Sequence, residues 1–254
     1  MLSRKLPAPK MQDHVVEHVQ EPTRLILAWQ APDQFKERFR WAVGQVSRAN
    51  SDYTFRYFDD EEFSILNQGR KPEELWALGY RGYPVFAPDK NVTYTKSVLS
   101  SFMRRLPPRS RTDFAAYIHS FHLSPSISLS DFSLLAVTEA KLPSDGFSLV
   151  DEFADPKGPR EMLLEVAGHR YYAVKVQNRL VVGYPVEIEA EPTNPHDSNA
   201  VKVLQAGECI GYINRLQAPA FHTWIREQRV QATLQRLNGS AEKPKAYIFV
   251  RVSE

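Results

Sequence analysis

Residues 191–203 read Glu191-Pro192-Thr193-Asn194-Pro195-His196-Asp197-Ser198-Asn199-Ala200-Val201-Lys202-Val203. The polar centre of this stretch lies between two runs of alternating apolar and polar residues, 183–190 and 200–204. Such alternation predicts two β-strands. Proline fixes the backbone angle φ, and asparagine and aspartate side chains can bond their own backbone. The stretch therefore predicts a tight turn between two strands, and it would be typical of a purely structural turn if it stood alone.

Two neighbouring motifs indicate that this turn is more than a structural turn. Gly168-His169-Arg170-Tyr171-Tyr172 precedes it, and Ile210-Gly211-Tyr212-Ile213-Asn214-Arg215 follows it. With the three motifs in this order, the segment from about residue 160 to residue 254 resembles the HIRAN domain. This domain is the small β-barrel of helicase-like transcription factor and its Rad5-type relatives, and it also occurs in bacterial proteins. Any one of the three motifs alone is a weak signal, whereas their combination is specific.

The resemblance implies a binding function, because HIRAN domains hold the 3′ end of single-stranded DNA and read its terminal hydroxyl and last bases. Arg170 and Tyr171 match the family's R-Y pair, in which arginine can hold phosphate and tyrosine can stack on a base. Asp197 matches the acidic residue that would accept a 3′-hydroxyl and repel a 3′-phosphate. Arg215 lies where the family keeps a basic residue on the phosphate path. Tyr172 is expected to face the core instead, because adjacent strand residues point to opposite sides.

The chain departs from the family at two positions. His196 stands where characterised relatives carry a tyrosine, and Tyr212 occupies a position that can be histidine, differences that bear on affinity and on the choice of DNA over RNA. Asn194 and Asn199 are expected to hold the turn through side-chain to backbone bonds, although Asn199 could instead only shape the pocket. The predicted DNA-binding residues are Arg170, Tyr171, Tyr172, Asn194, His196, Asp197, Asn199, Tyr212 and Arg215.

The predicted architecture is an α+β module followed by a mostly-β, OB-like small barrel with one main helix. In the barrel, residues 161–254, we expect strands near 161–166, 183–190, 200–204, 208–213, 230–237 and 246–252. The helix should begin near Asn214, a residue that caps helices well, with Leu216, Phe221, Trp224 and Ile225 on one side. Five or six short strands with one helix suit a small, partly open barrel.

The rest of the chain divides by composition into an arm, a module and a linker. Residues 1–20 predict a flexible arm, and residues 151–160, rich in proline and charge, predict a linker. Within the module, residues 21–150, we expect strands near 25–30, 39–46 and 53–58, with a turn at Ser51-Asp52. Helices are expected near 97–105, 110–122 and 130–136.

The module also resembles the N-terminal subdomain of HipA-type toxin kinases. The similar motifs are Gly44-Gln45-Val46, Tyr53-x-Phe55-x-Tyr57, Phe102-x-x-Arg105-Leu106-Pro107 and Phe132-x-Leu134-Leu135. The family has L-P-E where this chain has Leu106-Pro107-Pro108, and nothing after residue 140 supplies a catalytic or metal-binding aspartate in a kinase-like context. The resemblance therefore implies a non-catalytic subdomain that faces a protein partner.

The charge of the chain is nearly balanced, with a formal net charge of +2. Residues 160–254 hold 12 Lys plus Arg against 10 Asp plus Glu, which leaves 20 of each in the remainder. Neither part has the broad basic field of a protein that coats duplex DNA. Nucleic acid would therefore bind in a pocket or at an end, with few phosphate contacts and a weak dependence on salt.

Four arginines, Arg104, Arg105, Arg109 and Arg111, form a basic cluster that invites a phosphate-binding hypothesis. The favoured interpretation is that they solvate a surface and pair with Asp113 and other acids, because the module is neutral as a whole.

No catalytic motif is present in the sequence: it has no H-E-x-x-H, no G-x-S-x-G and no phosphate-binding G-x-x-x-x-G-K-[ST]. His119 and His122 have helical spacing but no third metal ligand. Glu187, Glu189, Glu191 and Lys202 fit a nuclease only loosely, since strand alternation explains them as a solvated face. We predict no enzyme activity, no metal and no cofactor, with a cryptic nuclease as the weaker alternative.

The single cysteine, Cys209, excludes an intrachain disulfide and is expected to be a small core residue. No apolar run is long enough to span a membrane, and residues 1–7 lack the apolar stretch of a signal peptide, so we expect a cytoplasmic protein without membrane contact. The predicted function is non-catalytic recognition of single-stranded DNA 3′ ends in DNA repair or defence, with the N-terminal module binding or regulating a protein partner. The alternative is a regulatory component of a toxin–antitoxin or defence system that acts mainly through protein–protein contacts.

Overall fold

A computed structural model of the chain describes residues 14–35, 39–142, 144–176 and 179–254. The chain forms two compact units. The N-terminal unit contains Gln20–Phe121 and Pro125–Ala154, whereas the C-terminal unit combines Asp155–Glu254 with His122–Ser124 and the described residues 14–19. Most of the arm predicted over residues 1–20 lies outside the described residues. None of the helices in the described ranges is long and apolar enough to cross a membrane.

The N-terminal unit is an antiparallel sheet with five helices. Its strands, which lie in the order β4-β3-β2-β1-β5, are β1 (Arg24–Gln30), β2 (Arg40–Ala49), β3 (Asp52–Tyr57), β4 (Thr93–Tyr94) and β5 (Phe147–Val150). The helices are α1 (Asp60–Leu66), α2 (Pro72–Ala77), α3 (Val98–Met103), α4 (Phe114–His119) and α5 (Asp131–Thr138). The three predicted strands and three predicted helices of this α+β module are therefore confirmed, although the helices α3 and α4 are shorter than expected.

The differences in this unit have local causes. The turn after β2 is formed by Asn50 and Ser51, and Asn50 has a φ of 56°, a left-handed conformation that asparagine tolerates. The sequence analysis missed α1, although Asp59 accepts a bond from the Glu62 backbone N–H at 2.8 Å, as an N-terminal cap does. Helix α4 begins only at Phe114 because the preceding residues form a turn, in which the Arg111 N–H donates to the Pro108 carbonyl at 3.0 Å.

The arginine cluster of this unit is occupied by acidic and carbonyl partners. Arg105 is buried and donates to the carbonyl oxygens of Ala140 and Phe147 at 2.7 and 3.1 Å. The predicted pairing with acids is confirmed for three of the four arginines. The pairs are Arg105–Asp145, Arg109–Asp131 and Arg111–Asp113.

The C-terminal unit is a curled antiparallel sheet with the strand order β6-β11-β10-β7-β8-β9. Its strands are β6 (Arg160–Glu165), β7 (Pro185–Ala190), β8 (Val201–Gln205), β9 (Glu208–Tyr212), β10 (Val230–Gly239) and β11 (Pro244–Val252). A 3-10 turn (His169–Tyr171) runs into the short helix α6 (Ala173–Val176), and the main helix α7 (Ala218–Arg226) lies between β9 and β10 in the chain. All six predicted strands are present.

The two ends of this sheet meet at one antiparallel bridge, between Ala167 and Tyr212. The Ala167 N–H donates to the Tyr212 carbonyl at 2.7 Å, and the Tyr212 N–H donates to the Ala167 carbonyl at 2.9 Å. Gly211 permits this approach: it has a φ of 138°, and a Cβ there would lie 2.6 Å from both the Ala167 oxygen and Val166 Cγ1. We call this bridge the seam. It closes the curled sheet and confirms the prediction of a small OB-like barrel.

Helix α7 begins four residues later than predicted. Asn214 accepts bonds from the backbone N–H groups of Leu216, through Oδ1 at 3.2 Å, and of Gln217, through its carbonyl at 2.8 Å, and so forms a turn. Pro219 lacks an N–H and suits only the first turn of a helix, which fixes the start near Ala218. The predicted apolar side is largely confirmed, since Leu216, Phe221 and Trp224 are buried.

Residues 14–19 belong to the C-terminal unit and contact its other segments. Val16 bridges Leu123 in parallel, through a bond from its N–H to the His122 carbonyl at 2.7 Å. The His14 ring stacks on Phe249 with centroids 4.7 Å apart. This part of the predicted arm is therefore attached to the barrel strand β11.

Candidate nucleic-acid interface

Three chain segments that carry the predicted site residues lie at or beside the seam. They are the 3-10 turn and the residues that follow it, the loop between β7 and β8, and the end of β9. The seam places Tyr212, at the end of β9, opposite Ala167, which immediately precedes the turn. His169 fastens the turn further, because its buried ring bonds to the Ile210 carbonyl at 2.8 Å.

Asn194 organises the loop between β7 and β8. Its side-chain oxygen accepts from the backbone N–H groups of His196 and Asp197 at 2.9 and 3.2 Å. Asp197 Oδ1 accepts from the Asn199 N–H at 2.9 Å, and the Asn199 carbonyl bonds to the His222 ring at 3.0 Å. The predicted side-chain to backbone bonds of Asn194 are thus confirmed. The bonds of Asn199 to Asp197 and His222 are made by its backbone. His196 is exposed on the same loop.

Glu191 connects this loop to Tyr212. Its carboxylate accepts from Asn194 Nδ2 at 2.6 Å and from the Tyr212 hydroxyl at 3.0 Å. The Tyr172 hydroxyl donates to the Tyr212 hydroxyl at 3.3 Å, and the two rings meet edge to face with centroids 6.0 Å apart. We call Glu191, Asn194, Tyr172 and Tyr212 the loop-holding network. It orients the Asn194 amide so that its oxygen faces the loop backbone.

Glu191 is a site residue that the sequence analysis missed, because strand alternation assigned it to a solvated face with Glu187 and Glu189. Strand β7 ends at Ala190, so Glu191 is no longer subject to that alternation. The available signal was its spacing of three from Asn194, which allows a carboxylate to meet an amide across a tight turn.

The charges of the network follow from these bonds. The donor bond from Asn194 is the main cause that lowers the pKa of Glu191, and the Tyr212 hydroxyl and the charge of Lys202 act in the same direction. Burial is the main cause that raises the pKa of Tyr212, and its bonds to Tyr172 and Glu191 add to the effect. At neutral pH, Glu191 is therefore a charged acceptor and Tyr212 a neutral donor.

Arg170 and Tyr171 form an exposed pair beside this network. The Tyr171 ring is 60% exposed, the Arg170 guanidinium lies 4.7 Å from its centroid, and Arg170 Nη2 donates to the Tyr171 hydroxyl at 2.6 Å. The premise used for Tyr172 was wrong, because residues 169–171 form a 3-10 turn and not a strand. Tyr172 is nevertheless half-buried, against Tyr212. Arg215 lies half-buried in the turn that follows β9.

Residues 160–253 match the family model of the HIRAN domain. This segment is a HIRAN domain. The match covers the barrel with the seam, the loop and the exposed Arg170–Tyr171 pair, as the sequence motifs predicted.

Solved structures similar to this HIRAN domain include that of the HIRAN domain of human HLTF, at 20% identity and a TM-score of 0.30, covering 36% of this chain and 74% of that chain. A protein from Lactobacillus plantarum matches at 24% identity and a TM-score of 0.30, covering 38% of this chain and 100% of that chain. No curated protein matches the chain.

Across the described ranges, no group of three or more His, Cys, Asp or Glu side chains is placed so that it could hold a metal ion.

Proposed function

We propose that the HIRAN domain of this chain binds the 3′ end of single-stranded DNA. The observation that supports the proposal is a continuous set of contacts that runs from Tyr172 through Tyr212 and Asn194 to the backbone of Asp197. It joins the segment that carries the exposed Arg170–Tyr171 pair to the loop that carries the carboxylate. A terminal nucleotide could meet both at once.

In this proposal, Asp197 selects the end. Its Oδ1 accepts from the Asn199 N–H at 2.9 Å, and the carboxylate would accept a 3′-hydroxyl in addition. A 3′-phosphate would place negative charge beside the same carboxylate, and like charges repel. The domain would therefore prefer a free 3′-hydroxyl.

Tyr171 and Arg170 would hold the last bases and a phosphate. Stacking of a base on an aromatic ring contributes about 1–3 kcal/mol. Two stacked bases with one or two charge-assisted bonds would give a Kd on the order of micromolar, about −8 kcal/mol. The balanced charge of the domain fits so small a set of phosphate contacts.

The test is fluorescence anisotropy of short labelled single strands that end in a 3′-hydroxyl or a 3′-phosphate. Wild type should bind the hydroxyl form at least about tenfold more tightly, a difference of about 1.4 kcal/mol. Asp197→Ala should remove most of this preference, whereas Ser198→Ala, at an exposed neighbour in the same loop, should retain it. Equal binding of both ends by the wild type would refute the proposal.

The protein partner predicted for the N-terminal unit stays a prediction, as does the alternative role in a toxin–antitoxin or defence system. Co-purification with and without nuclease treatment distinguishes DNA-end binding from action through protein–protein contacts. A partner held only through DNA is lost on digestion, whereas a partner held by protein contacts is retained. The proposal that the chain is non-catalytic is tested by incubating it with single- and double-stranded DNA and divalent metal ions, where digestion would contradict it.

A further inference from the structure

The segment that follows β6 carries basic residues and no acidic ones. Residues 166–186 contain Arg170, Lys175 and Arg179 and no Asp or Glu. An acid from another element, Glu208 of β9, forms an ion pair with Arg179. Arg179 Nη2 also donates to the Lys175 carbonyl at 3.0 Å, so this arginine anchors the end of α6. Of the other two cations, Lys175 lies on α6 itself and Arg170 lies in the 3-10 turn that precedes it.

Helix α6 presents an apolar residue to solvent. Ala173 and Val176 are buried, at 6% and 1% exposure, and pack the helix onto the barrel. The opposite side therefore faces outward, where Val174 is 80% exposed and Lys175 is exposed as well. This side of the helix therefore presents one apolar and one cationic side chain to solvent.

This surface continues the exposed Arg170–Tyr171 pair. The 3-10 turn runs directly into α6, because the Tyr172 N–H donates to the His169 carbonyl and the Lys175 N–H to the Tyr172 carbonyl, both at 2.9 Å. Residues three and four positions apart along such turns lie side by side. Tyr171, Val174 and Lys175 therefore form one exposed face, which we call the α6 face.

We propose that the α6 face binds the nucleotides that lie on the 5′ side of the terminal ones in the same strand, an inference that rests on the proposed function. Lys175 would contact a phosphate, and Val174 would pack against a base or a deoxyribose ring. The excess of cations in this segment favours an anionic strand over an apolar protein segment as the occupant.

The length of the face sets how many nucleotides it can hold. The four residue steps from Tyr171 to Lys175 extend about 6 Å, at roughly 1.5 Å per step. Nucleotides in a stacked strand are spaced by about 3.4 Å. The α6 face should therefore add about two nucleotides to the site, and affinity should rise with oligonucleotide length and then level off.

The experiment is a length series of oligothymidylates with a free 3′-hydroxyl, from two to ten nucleotides, measured by competition on the full chain. For wild type we expect affinity to rise about tenfold between two and five nucleotides and then to remain constant. Val174→Asp and Lys175→Gln should lose most of this rise and bind the dinucleotide as wild type does. Lys175→Gln should also reduce the slope of log affinity against log salt by about 0.7 for the longer strands. Lys243→Gln, at an exposed lysine of the β10–β11 hairpin, is the matched control and should behave as wild type.

The outcomes separate this inference from the proposed function. If the dinucleotide binds through its 3′-hydroxyl but length adds nothing, or if the variants keep the full rise, the α6 face is not part of the site and the proposed function stands. If long strands bind equally with a 3′-hydroxyl and a 3′-phosphate, and Lys175→Gln weakens them, the α6 face is supported and end recognition fails. Absence of binding at every length overturns both.

Discussion

Replacing Glu191 by glutamine tests whether the loop-holding network prepares the loop for binding. The substitution keeps the shape of the side chain and one acceptor oxygen but removes the charge that accepts from Asn194 and Tyr212. If Asp197 binds the DNA end, Glu191→Gln should weaken that binding although Glu191 itself need not touch the ligand.

The size of the effect follows from the two bonds. A hydrogen bond to a charged group contributes about 1 kcal/mol more than one between neutral groups, so the pair should lose about 2 kcal/mol. If the whole loss lowers the population of the ordered loop, the apparent Kd rises by up to about 30-fold. We therefore expect a three- to 30-fold weaker affinity for a 3′-hydroxyl strand, with the upper limit set by that loss.

The assay is anisotropy with a 3′-hydroxyl oligonucleotide, combined with NMR of the Asn194 side-chain amide. The Asn194 amide signal should move in Glu191→Gln, because one of its donor bonds loses a charged acceptor. Glu187→Gln is the matched control, since it makes the same change at an exposed position of β7.

A Glu191→Gln protein that binds as wild type does, while its Asn194 signal has moved, would refute the idea that this network orders the loop for binding. Equal weakening by Glu187→Gln would show that the effect does not depend on the bonds of the loop-holding network.

Three further predictions concern stability and pH. Gly211→Ala should lower the free energy of unfolding by about 2–4 kcal/mol, because the new Cβ meets the backbone at the seam. Thermal unfolding measures this change, and an unchanged Tm would contradict the prediction. Arg105→Ala should cost about 3 kcal/mol in chemical denaturation, because it leaves buried acceptors without their donor, whereas the exposed Arg111→Ala should cost less than about 0.5 kcal/mol. Because the pKa of Glu191 is lowered from 4.5 in the folded chain, its stabilisation of the loop is present above that value and is lost as pH falls through the lower folded pKa. The pH-dependent shift of the Asn194 amide signal should therefore have its midpoint below pH 4.5.

The barrel was predictable because each of its strands carries its own signal. Alternating residues mark β7 and β8, and both have the predicted positions to within two residues. The three motifs that suggested the HIRAN domain converge at the seam, which joins residues separated by 45 positions in the chain only through backbone bonds. Periodicity reports which side of an element is buried, but it does not report which two strands meet, so the seam itself was not predicted.

The residues of the candidate site could be named from sequence motifs, whereas their conformation was less predictable. Tyr172 was treated as a strand residue, whereas the left-handed Gly168, with a φ of 71°, starts a 3-10 turn there. Glu191 was missed because the rule of alternation was applied one residue past the end of β7. Both errors arise at element ends, where local hydrogen bonds outweigh the average preference of a residue type.

Tyr212 links the seam to the loop between β7 and β8. Its backbone closes the barrel while its hydroxyl reaches the loop, so opening the barrel and disordering the loop draw on the same residue. If loop order and seam closure are coupled through this residue, the coupling is reciprocal. A ligand that stabilises the closed seam in this way slows amide hydrogen exchange at Ala167 on the opposite side of the seam, and opening the seam weakens the ligand by the same coupling free energy. If DNA binds at this loop, the barrel wall then contributes to the affinity of the site and does not only support it.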